Sequence, residues 1–517
     1  MTQTKISTIT ESNKRIANNS IHMSIRMVIV LIISLYTTRC ILDVLGIQDY
    51  GIYNVVCGFV SMFSFLNTSM SNGIQRFYNF ELGRNGEVGA NKVYNNAFLI
   101  QFLLVIIVVV LTESVGMWYL HNKMVIPSDR IFAAQCIFQL SLISFIFVIM
   151  QAPYTAAVMA HEKMSFYAII NVVDVALKLC IVLLIPLFSG DSLIIYGFLY
   201  VLISAFNFVI YYLYSKKKFK EIQLNLKFDK ALFLSMLGFS GWNIFGSLSG
   251  VLKEQGINLV LNLFFGPIVN AARGIAYQLN AGLQSFVSNI TMPVRPQVIQ
   301  SYAKGEYDRT INLTFAVSKL SCCFLYSCAL PVILEIDYIL HLWLGNSIPE
   351  HTKVFVIIII LTSFVNNLNS AVSGVIHASG KMFVYQTVSS SISIMCIPSS
   401  YLGLKCGFPP EFALIMVLFW AALSQCASLV IMKNIISYSI IEYVKKIILP
   451  MGLMVIVTIW PVLIIKSLFD SDTIRFFFVL VSSIFSSVLG IYYLVLDKSE
   501  KEFVSCFISN IRHKWQK

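Results

Sequence analysis

Charge is scarce in this sequence: Asp, Glu, Lys and Arg make up 12% of its 517 residues, where a soluble domain uses about a quarter to cover its surface. That shortage excludes a water-soluble globular chain. Motifs that carry chemistry are missing as well. The 11 cysteines include the adjacent pair Cys322 and Cys323 but form no C-x-x-C, so neither a disulfide framework nor a zinc site is indicated. The seven histidines are scattered, and His161 in HEKMS lacks the second histidine of a zinc-protease helix. No Gly-rich phosphate loop and no G-x-S-x-G elbow occurs, which argues against ATP as an energy source on this chain and against a serine hydrolase. We therefore expect no enzyme, no metal and no cofactor.

What the chain has instead is apolar bulk. Hydrophobic residues make up 57% of it, with 39 Phe and 24 Tyr, and the mean hydropathy is +0.77. Apolar runs of about 20 residues, the length that crosses a bilayer as helix, recur from end to end. Breakers and hydropathy divide them into about fourteen expected spans. Their cores are Ser20–Leu45, Tyr53–Gln75, Asn96–Leu120, Ile131–Met159, Tyr167–Leu187, Leu193–Tyr214, Leu232–Phe264, Val269–Val294, Leu313–Ile333, Val354–His377, Val384–Leu402, Phe412–Met432, Ile448–Leu468 and Ile474–Val495. The first twenty residues are polar and show no cleavable-signal pattern, so the first span is expected to persist.

Basic residues orient the spans. With the N-terminus inside, 25 of the 37 Lys and Arg fall in cytoplasmic segments and six on the other side. This is the positive-inside distribution, and it places both termini in the cytoplasm. It also accounts for most of the +12 net charge, so no nucleic-acid partner is needed.

The chain repeats itself. LGIQDYGIYNVV around Gly46 is followed by QRFYNFELGRNG with Arg76, and FFGPIVNAARGIA around Gly266 is followed by VRPQVIQSYAKGE with Arg295. AVMAHEKMSFY, ending at Tyr167, matches GVIHASGKMFVY, ending at Tyr385, at nearly the same offset. Six spans per half is an even number, so the halves are expected to form a parallel repeat, as in transporters that rock around a midplane site. The expected organisation is a six-helix bundle at 1–214, a basic cytoplasmic linker at 215–231 and a second bundle at 232–440. Two additional spans at 441–497 and a basic cytoplasmic tail at 498–517 complete it.

Polar residues within the spans follow helical stripes. One runs through Asn54, Cys57, Ser61, Ser64, Thr68, Ser71 and Gln75, a second through Ser240, Asn243, Ser247, Gly250, Glu254 and Asn258. Others join Arg273, Tyr277, Asn280, Gln284 and Ser288, and Asn366, Ser370, Ser373 and His377. A single serine in lipid is explained by helix–helix hydrogen bonding; related stripes in both halves point to a wet interior. Intramembrane charges point the same way, because a charge at the bilayer centre faces a cavity or a partner. The basic ones are Arg26, Arg39, Lys178, Lys253, Arg273 and Lys319, and the acids are Asp174 and Glu254. Arg39 has Asp43, and Lys178 has Asp174, four residues away, the spacing of a helical ion pair. Arg26, Arg273 and Lys319 have no acid at that spacing. Lys253 and Glu254 point about 100° apart on one helix. The surplus of cations implies an anion among them.

Together, LGIQDYGIYNVVCGFVSMFSFLNTSMSNGIQRF, FFGPIVNAARGIAYQLNAGLQSFVSN and RPQVIQSYAKGE resemble bacterial polysaccharide repeat-unit flippases. These are the Wzx-type members of the multidrug/oligosaccharidyl-lipid/polysaccharide (MOP) exporter superfamily. The resemblance runs over essentially the whole chain and rests on Gly, Tyr and Arg patterns. It implies a MOP/MATE-like all-α integral membrane fold with two six-helix bundles and two C-terminal helices. It further implies a cargo of polyprenyl-diphosphate-linked oligosaccharide, flipped from the cytoplasmic to the periplasmic leaflet for O-antigen, lipopolysaccharide or capsule assembly. A glycan polymerase partner and a coupling ion, proton or sodium, come with that implication. On this reading Arg26, Lys178, Lys253, Arg273 and Lys319 receive the diphosphate, and Asp174 and Glu254 exchange the ion. Ser61, Ser64, Asn243, Ser247, Asn280, Gln284 and Asn366 line the lumen.

Three other readings stand beside it. A multidrug antiporter of the same superfamily would favour acids over the basic excess seen here, and a proline in its first span. A peptidoglycan lipid-precursor flippase shares the span count and the cationic lumen. A membrane glycan polymerase or ligase needs a large external loop, whereas the longest here, EIDYILHLWLGNSIPEHTKVF, is about twenty residues.

Overall fold

A computed structural model of the chain describes the backbone of residues 2–501, apart from 162, 226–228, 292–297, 299–300, 303, 346, 380–381, 470–471 and 498–499. Side chains are described over the same residues except 2–28, 72, 83, 239–246, 289–291, 377–378 and 382. Expectations that rest on the side chains of Arg26, Ser240, Asn243, Arg295 and His377 lie outside the described residues.

The described residues form helices and loops, with no strand among them. The first elements are α1 (Thr2–Ser61), α2 (Ser64–Leu111), α3 (Met117–Asn122), α4 (Ile131–Ala160), α5 (Met164–Leu184) and α6 (Ser192–Lys218). Next come α7 (Lys230–Phe265), α8 (Pro267–Thr291), α9 (Tyr307–Leu334), α10 (Ile336–Leu344), α11 (Thr352–Ser379), α12 (Met382–Ile394) and α13 (Cys396–Lys405). The last are α14 (Glu411–Lys433), α15 (Ile440–Tyr443), α16 (Leu449–Leu468) and α17 (Asp472–Gly490). Ten helices among the described residues are long and apolar enough to cross a membrane. The protein is an all-α, multi-pass membrane protein.

The expected spans Tyr53–Gln75, Leu232–Phe264, Val269–Val294 and Val384–Leu402 are not among those ten. Each contains residues of a polar stripe or is divided by the backbone. A turn at Met62 and Phe63 separates α1 from α2, so the stripe from Asn54 to Gln75 is not carried by one straight helix. Val384–Leu402 divides between α12 and α13 at Met395. α7 has 36 residues, about 54 Å at 1.5 Å per residue, longer than a bilayer needs.

Two glycines repeat a backbone conformation at the repeat's own spacing. Gly46 breaks α1 with φ 78° and ψ 168°, and Gly266 separates α7 from α8 with φ 75° and ψ −170°. Both angles lie where a Cβ clashes with the backbone, so glycine alone adopts them readily. The same local sequence thus makes the same corner twice.

Backbone contacts divide the chain into two compact units. The first comprises Met1–Gln278, Trp343–Thr352 and Ser393–Met416; the second comprises Leu279–Leu342, Lys353–Ile392 and Val417–Lys517. In the first unit, small residues let helices approach: Ala90, Ala97 and Ala157 are buried between Ile74, Tyr78, Val93 and Ile149. Close packing by small side chains replaces the hydrophobic drive that lipid does not supply. In the second unit, Tyr326 of α9 bonds Thr458 of α16 at 2.8 Å. The outer faces of α16 and α17 present Trp460 and Phe485, 63% and 65% exposed, as a hydrocarbon-facing surface does.

Candidate functional site: a cationic turn on α7 and α8

The Gly266 corner lays α7 against α8 as a tight pair, with Pro267 starting the second helix where its missing N–H costs nothing. Glu254, Asn258 and Asn262 recur every fourth residue on α7, and Asn270, Arg273 and Tyr277 recur at three and four on α8. These are two facing stripes. At the corner end the asparagines close a network. Asn270 Nδ2 donates to Asn258 Oδ1 and to its backbone carbonyl, each at 2.7 Å. Asn262 Nδ2 donates to Asn270 Oδ1 at 3.2 Å, while Asn262 Oδ1 accepts from the Val125 N–H at 3.0 Å. Asn258 Nδ2 reaches the Asn54 carbonyl on α1 at 3.2 Å. All three asparagines are buried. Such a network is rigid because nearly every polar atom has a partner.

One turn further from the corner, the polar groups are no longer matched. Arg273 is 4% exposed; its Nη2 donates to the Glu254 carbonyl at 2.5 Å and its guanidinium lies 4.2 Å from the Tyr277 ring centroid. Its Nε has no partner. Lys253 is half-buried, with Cys396 of α13 and Glu254 as its electrostatic neighbours. Among the described residues it makes no hydrogen bond and no ion pair. The Glu254 side chain is exposed and makes no ion pair with either cation among the described residues. Arg273 and Lys253 are thus two positive groups with no carboxylate bound to either. Guanidinium and ammonium groups in this state bind phosphoryl oxygens by charge-assisted hydrogen bonds.

The other expected site residues lie elsewhere. On α5, Lys178 donates to Asp174 at 2.8 Å, and Asn207 of α6 donates to the same carboxylate at 2.6 Å. Lys178 also lies 5.1 Å from the Tyr200 ring. Side-chain exposures of 30% and 22% leave this pair half-buried within the first unit. Lys319 is in the second unit, 2% exposed, and its ammonium is answered by Asp497 at 2.9 Å and Glu500 at 2.6 Å. It therefore drops out of the surplus of unanswered cations. Those acids are 178 and 181 residues away in sequence, which is why spacing on one helix did not find them.

Among the polar residues, Ser61 bonds back to the Gly58 carbonyl at 2.8 Å, and Ser247 receives the Ser69 hydroxyl at 3.2 Å. Both arrangements are local or helix–helix contacts. Asn280 accepts from Ser363 at 2.8 Å in the second unit. Ser64 and Gln284 are half-buried and Asn366 is exposed.

Two polar centres escaped sequence reasoning. Arg130 bridges Asp49 and Asp191 across three helices. Burial alone would raise the Asp191 carboxyl, but the Arg130 guanidinium and the N–H groups of Ile194 and Leu193 outweigh it and hold the carboxyl below its ordinary value. The second is Glu221, 1% exposed on its side chain, which receives Tyr78 at 2.9 Å and contacts His161 at 2.5 Å. The one legible signal was Asp191 after Gly190, an N-cap pattern, and its side chain does cap α6.

No protein-family model matches the chain. A relative described as the uncharacterized membrane protein EpsK of Bacillus subtilis (strain 168) is 20% identical over 323 residues, which is 61% of this chain and 62% of that protein. The chain thus spans less than two thirds of that relative's length. Solved structures share the fold at low identity. A lipid II flippase MurJ in an inward closed conformation aligns with a TM-score of 0.71 and 13% identity, covering 90% of this chain and 97% of that one. An inward-facing multidrug resistance MATE family transporter of the MOP superfamily gives 0.64 and 11%, covering 78% and 94%. A MOP superfamily transporter from Pyrococcus furiosus, described by the reverse polarity of its binding pocket, gives 0.58 and 12%, covering 80% and 95%. The fold is that of the MOP-superfamily transporters and flippases.

Proposed function

We propose that this chain is a flippase for polyprenyl-diphosphate-linked oligosaccharides, moving them from the cytoplasmic to the periplasmic leaflet of a bacterial inner membrane by alternating access of two bundles, 1–214 and 232–440. The observation that carries this reading is the pair Lys253 and Arg273, two cations in a membrane helix pair with no carboxylate bound to either. A diphosphate satisfies both, and Tyr277 offers a ring face and a hydroxyl to the first sugar. Lys178 serves once its hold on Asp174 is released. The flip breaks no bond, so the residues have only to replace the water that the diphosphate loses. Glu254 and Asp174 exchange the coupling ion, because each carboxylate lies beside a cation that the cargo competes for. The fold shared with a protein named lipid II flippase supports lipid-linked cargo. O-antigen and capsule repeat units are the cargo that the resemblance of the sequence favours.

The MATE neighbours favour a multidrug antiporter instead. Bare cations beside a single exposed acid suit an anionic cargo better than a cationic drug.

The test is transport in proteoliposomes, using a fluorescent polyprenyl-diphosphate glycan whose outward passage is read by quenching. Lys253→Ala and Arg273→Ala are each expected to slow passage about tenfold or more, since each removes a charge-assisted contact. Asp174→Asn with Glu254→Gln is expected to remove the dependence on an ion gradient. Faster passage of a cationic dye than of the glycan lipid, or unchanged passage in both Ala variants, would overturn the reading.

A further inference from the structure

In the first unit, α3, α4, Phe188 and α6 line an open apolar cavity of about 760 Å3 beside the π-helical segment Thr112–Gly116, within the size range of ligand pockets. Its walls are apolar, with Phe132 and Leu140 from α4, Phe188, and Phe198 from α6. Gln135 and Gln139, one turn apart on α4, are the two polar side chains in that lining.

These two glutamines spend their donors on acceptors at the rim. Gln139 Nε2 donates to Glu113 Oε2 at 3.2 Å and toward Met117 Sδ at 3.7 Å. His121 Nδ1 donates to the Met117 carbonyl at 2.8 Å, so its Nε2 accepts from Gln135 Nε2 at 2.6 Å. What remains is the second carboxylate oxygen of Glu113 and the amide oxygens of Gln135 and Gln139, against one spare N–H on Gln135. The rim is rich in acceptors and poor in donors.

Glu113 is exposed, and it sits inside the membrane-spanning helix Arg84–Asn122. Trp118, 55% exposed, lies five residues nearer the helix end, in the position of an interfacial aromatic. The carboxylate is therefore about 7 Å below that belt. It lies in the leaflet that the basic-residue bias assigns to the periplasm. An outward-facing acid at that depth calls for a partner that brings hydrogen-bond donors. The π-segment that presents it is a local helix defect of the kind found at functional sites.

We propose that this cavity binds an amphiphile with a glycosyl head. Its chain fills the apolar cavity, and its sugar hydroxyls donate to Glu113, Gln135 and Gln139. A phosphate head is disfavoured because it would meet a carboxylate and a single free N–H. The inference goes beyond the proposed function: the ligand is a glycolipid without a diphosphate, and its site stands apart from Lys253 and Arg273.

The test is photolabelling of the full chain, extracted without glycoside detergents and placed in phosphatidylcholine nanodiscs, by an alkyl maltoside bearing a benzophenone in its tail. Label is expected on peptides of α4 and α6, displaced by dodecyl maltoside and not by phosphatidylethanolamine. The double variant Glu113→Ala/Gln139→Ala is expected to lose label about tenfold, as two acceptors are removed. Leu140→Trp, which fills the cavity and leaves the rim intact, is expected to lose it too. Lys253→Ala is expected to label like the wild type, so failed transport and failed binding are read separately. Equal labelling of wild type and both cavity variants, or displacement by phosphatidylethanolamine as effective as by maltoside, would overturn the proposal.

Discussion

Arg130 grips Asp191 at the head of α6, its Nη2 donating to Oδ1 at 3.1 Å, while its Nε holds Asp49 of α1 at 2.9 Å. The same Asp191 oxygen accepts from the Leu193 N–H at 3.0 Å and the Ile194 N–H at 3.3 Å. One carboxylate thus caps a helix and anchors a guanidinium that ties in a third helix.

Asp191 has a depressed carboxyl in the folded protein. Its stabilising contribution is therefore complete above the ordinary carboxylate range, about pH 4, and is lost as pH falls through the lower folded value. Asp191→Asn keeps a capping side chain and loses the ion pair. Its thermal midpoint in detergent is expected to lie several degrees below wild type at pH 7, with the gap closing toward pH 3. A gap that does not change with pH would show that the charge contributes nothing.

Gly51 and Gly46 separate two reasons for a glycine. A Cβ on Gly51 would lie 2.0 Å from the Pro267 carbonyl oxygen, whereas one on Gly46 meets nothing within 4 Å. Gly51→Ala must push α8 off α1, while Gly46→Ala carries only the backbone cost of its positive φ, about 1–3 kcal/mol. Gly51→Ala is expected to lower both the thermal midpoint and the yield of folded protein, and more severely than Gly46→Ala. Melting curves of the two variants side by side decide it.

Lys319 is the more deeply placed partner of its acids, 2% exposed against 54% for Asp497 and 25% for Glu500. Lys319→Met leaves two carboxylates that water can reach. Asp497→Asn/Glu500→Gln leaves an ammonium with no counter-charge, a change costing about 3 kcal/mol or more when a buried ion loses its partner. The acid double variant is expected to melt lower than Lys319→Met, and Lys319→Met is expected to keep transport per folded molecule. The opposite order of midpoints would show that Lys319 is not the buried member.

Glu221 fastens the segment after α6 to α2 and to the end of α4. Besides Tyr78 and His161 on its carboxylate, its backbone carbonyl accepts from Asn91 at 2.6 Å, and His161 stacks on Phe219 at 4.1 Å. Glu221→Ala removes the buried acceptor and leaves Tyr78 and His161 without their partner. Trypsin is expected to cut at Lys216–Lys220 several-fold faster in this variant, followed by gel electrophoresis over time. An unchanged rate would mean that the backbone bonds alone hold the segment.

The membrane class, the helical fold and the paired corners at Gly46 and Gly266 were legible in the sequence. So were the polar stripes along α7 and α8, because a helix's periodicity declares which residues share a side; that the two stripes meet through Asn262 and Asn270 was not. Breaks were less legible: nothing in the run of apolar and small residues at Met62 or Met395 marks the turn that divides a stripe. Lys253 and Arg273 stood out as charges in an apolar span, and their side chains are indeed without carboxylate partners.

By itself the sequence determined that this chain lies in a membrane, as helices, in a repeated pattern. Those properties follow from local composition and spacing. Only the tertiary structure decided which charges are spent. Lys178 already had Asp174 at helical spacing along the chain, whereas Lys319 had no acid near it in sequence and meets Asp497 and Glu500 from a distant segment. A charge's partner is chosen by distance in space, and the chain brings Asp497, Glu500, Asp49 and Asp191 to their cations only when the helices pack.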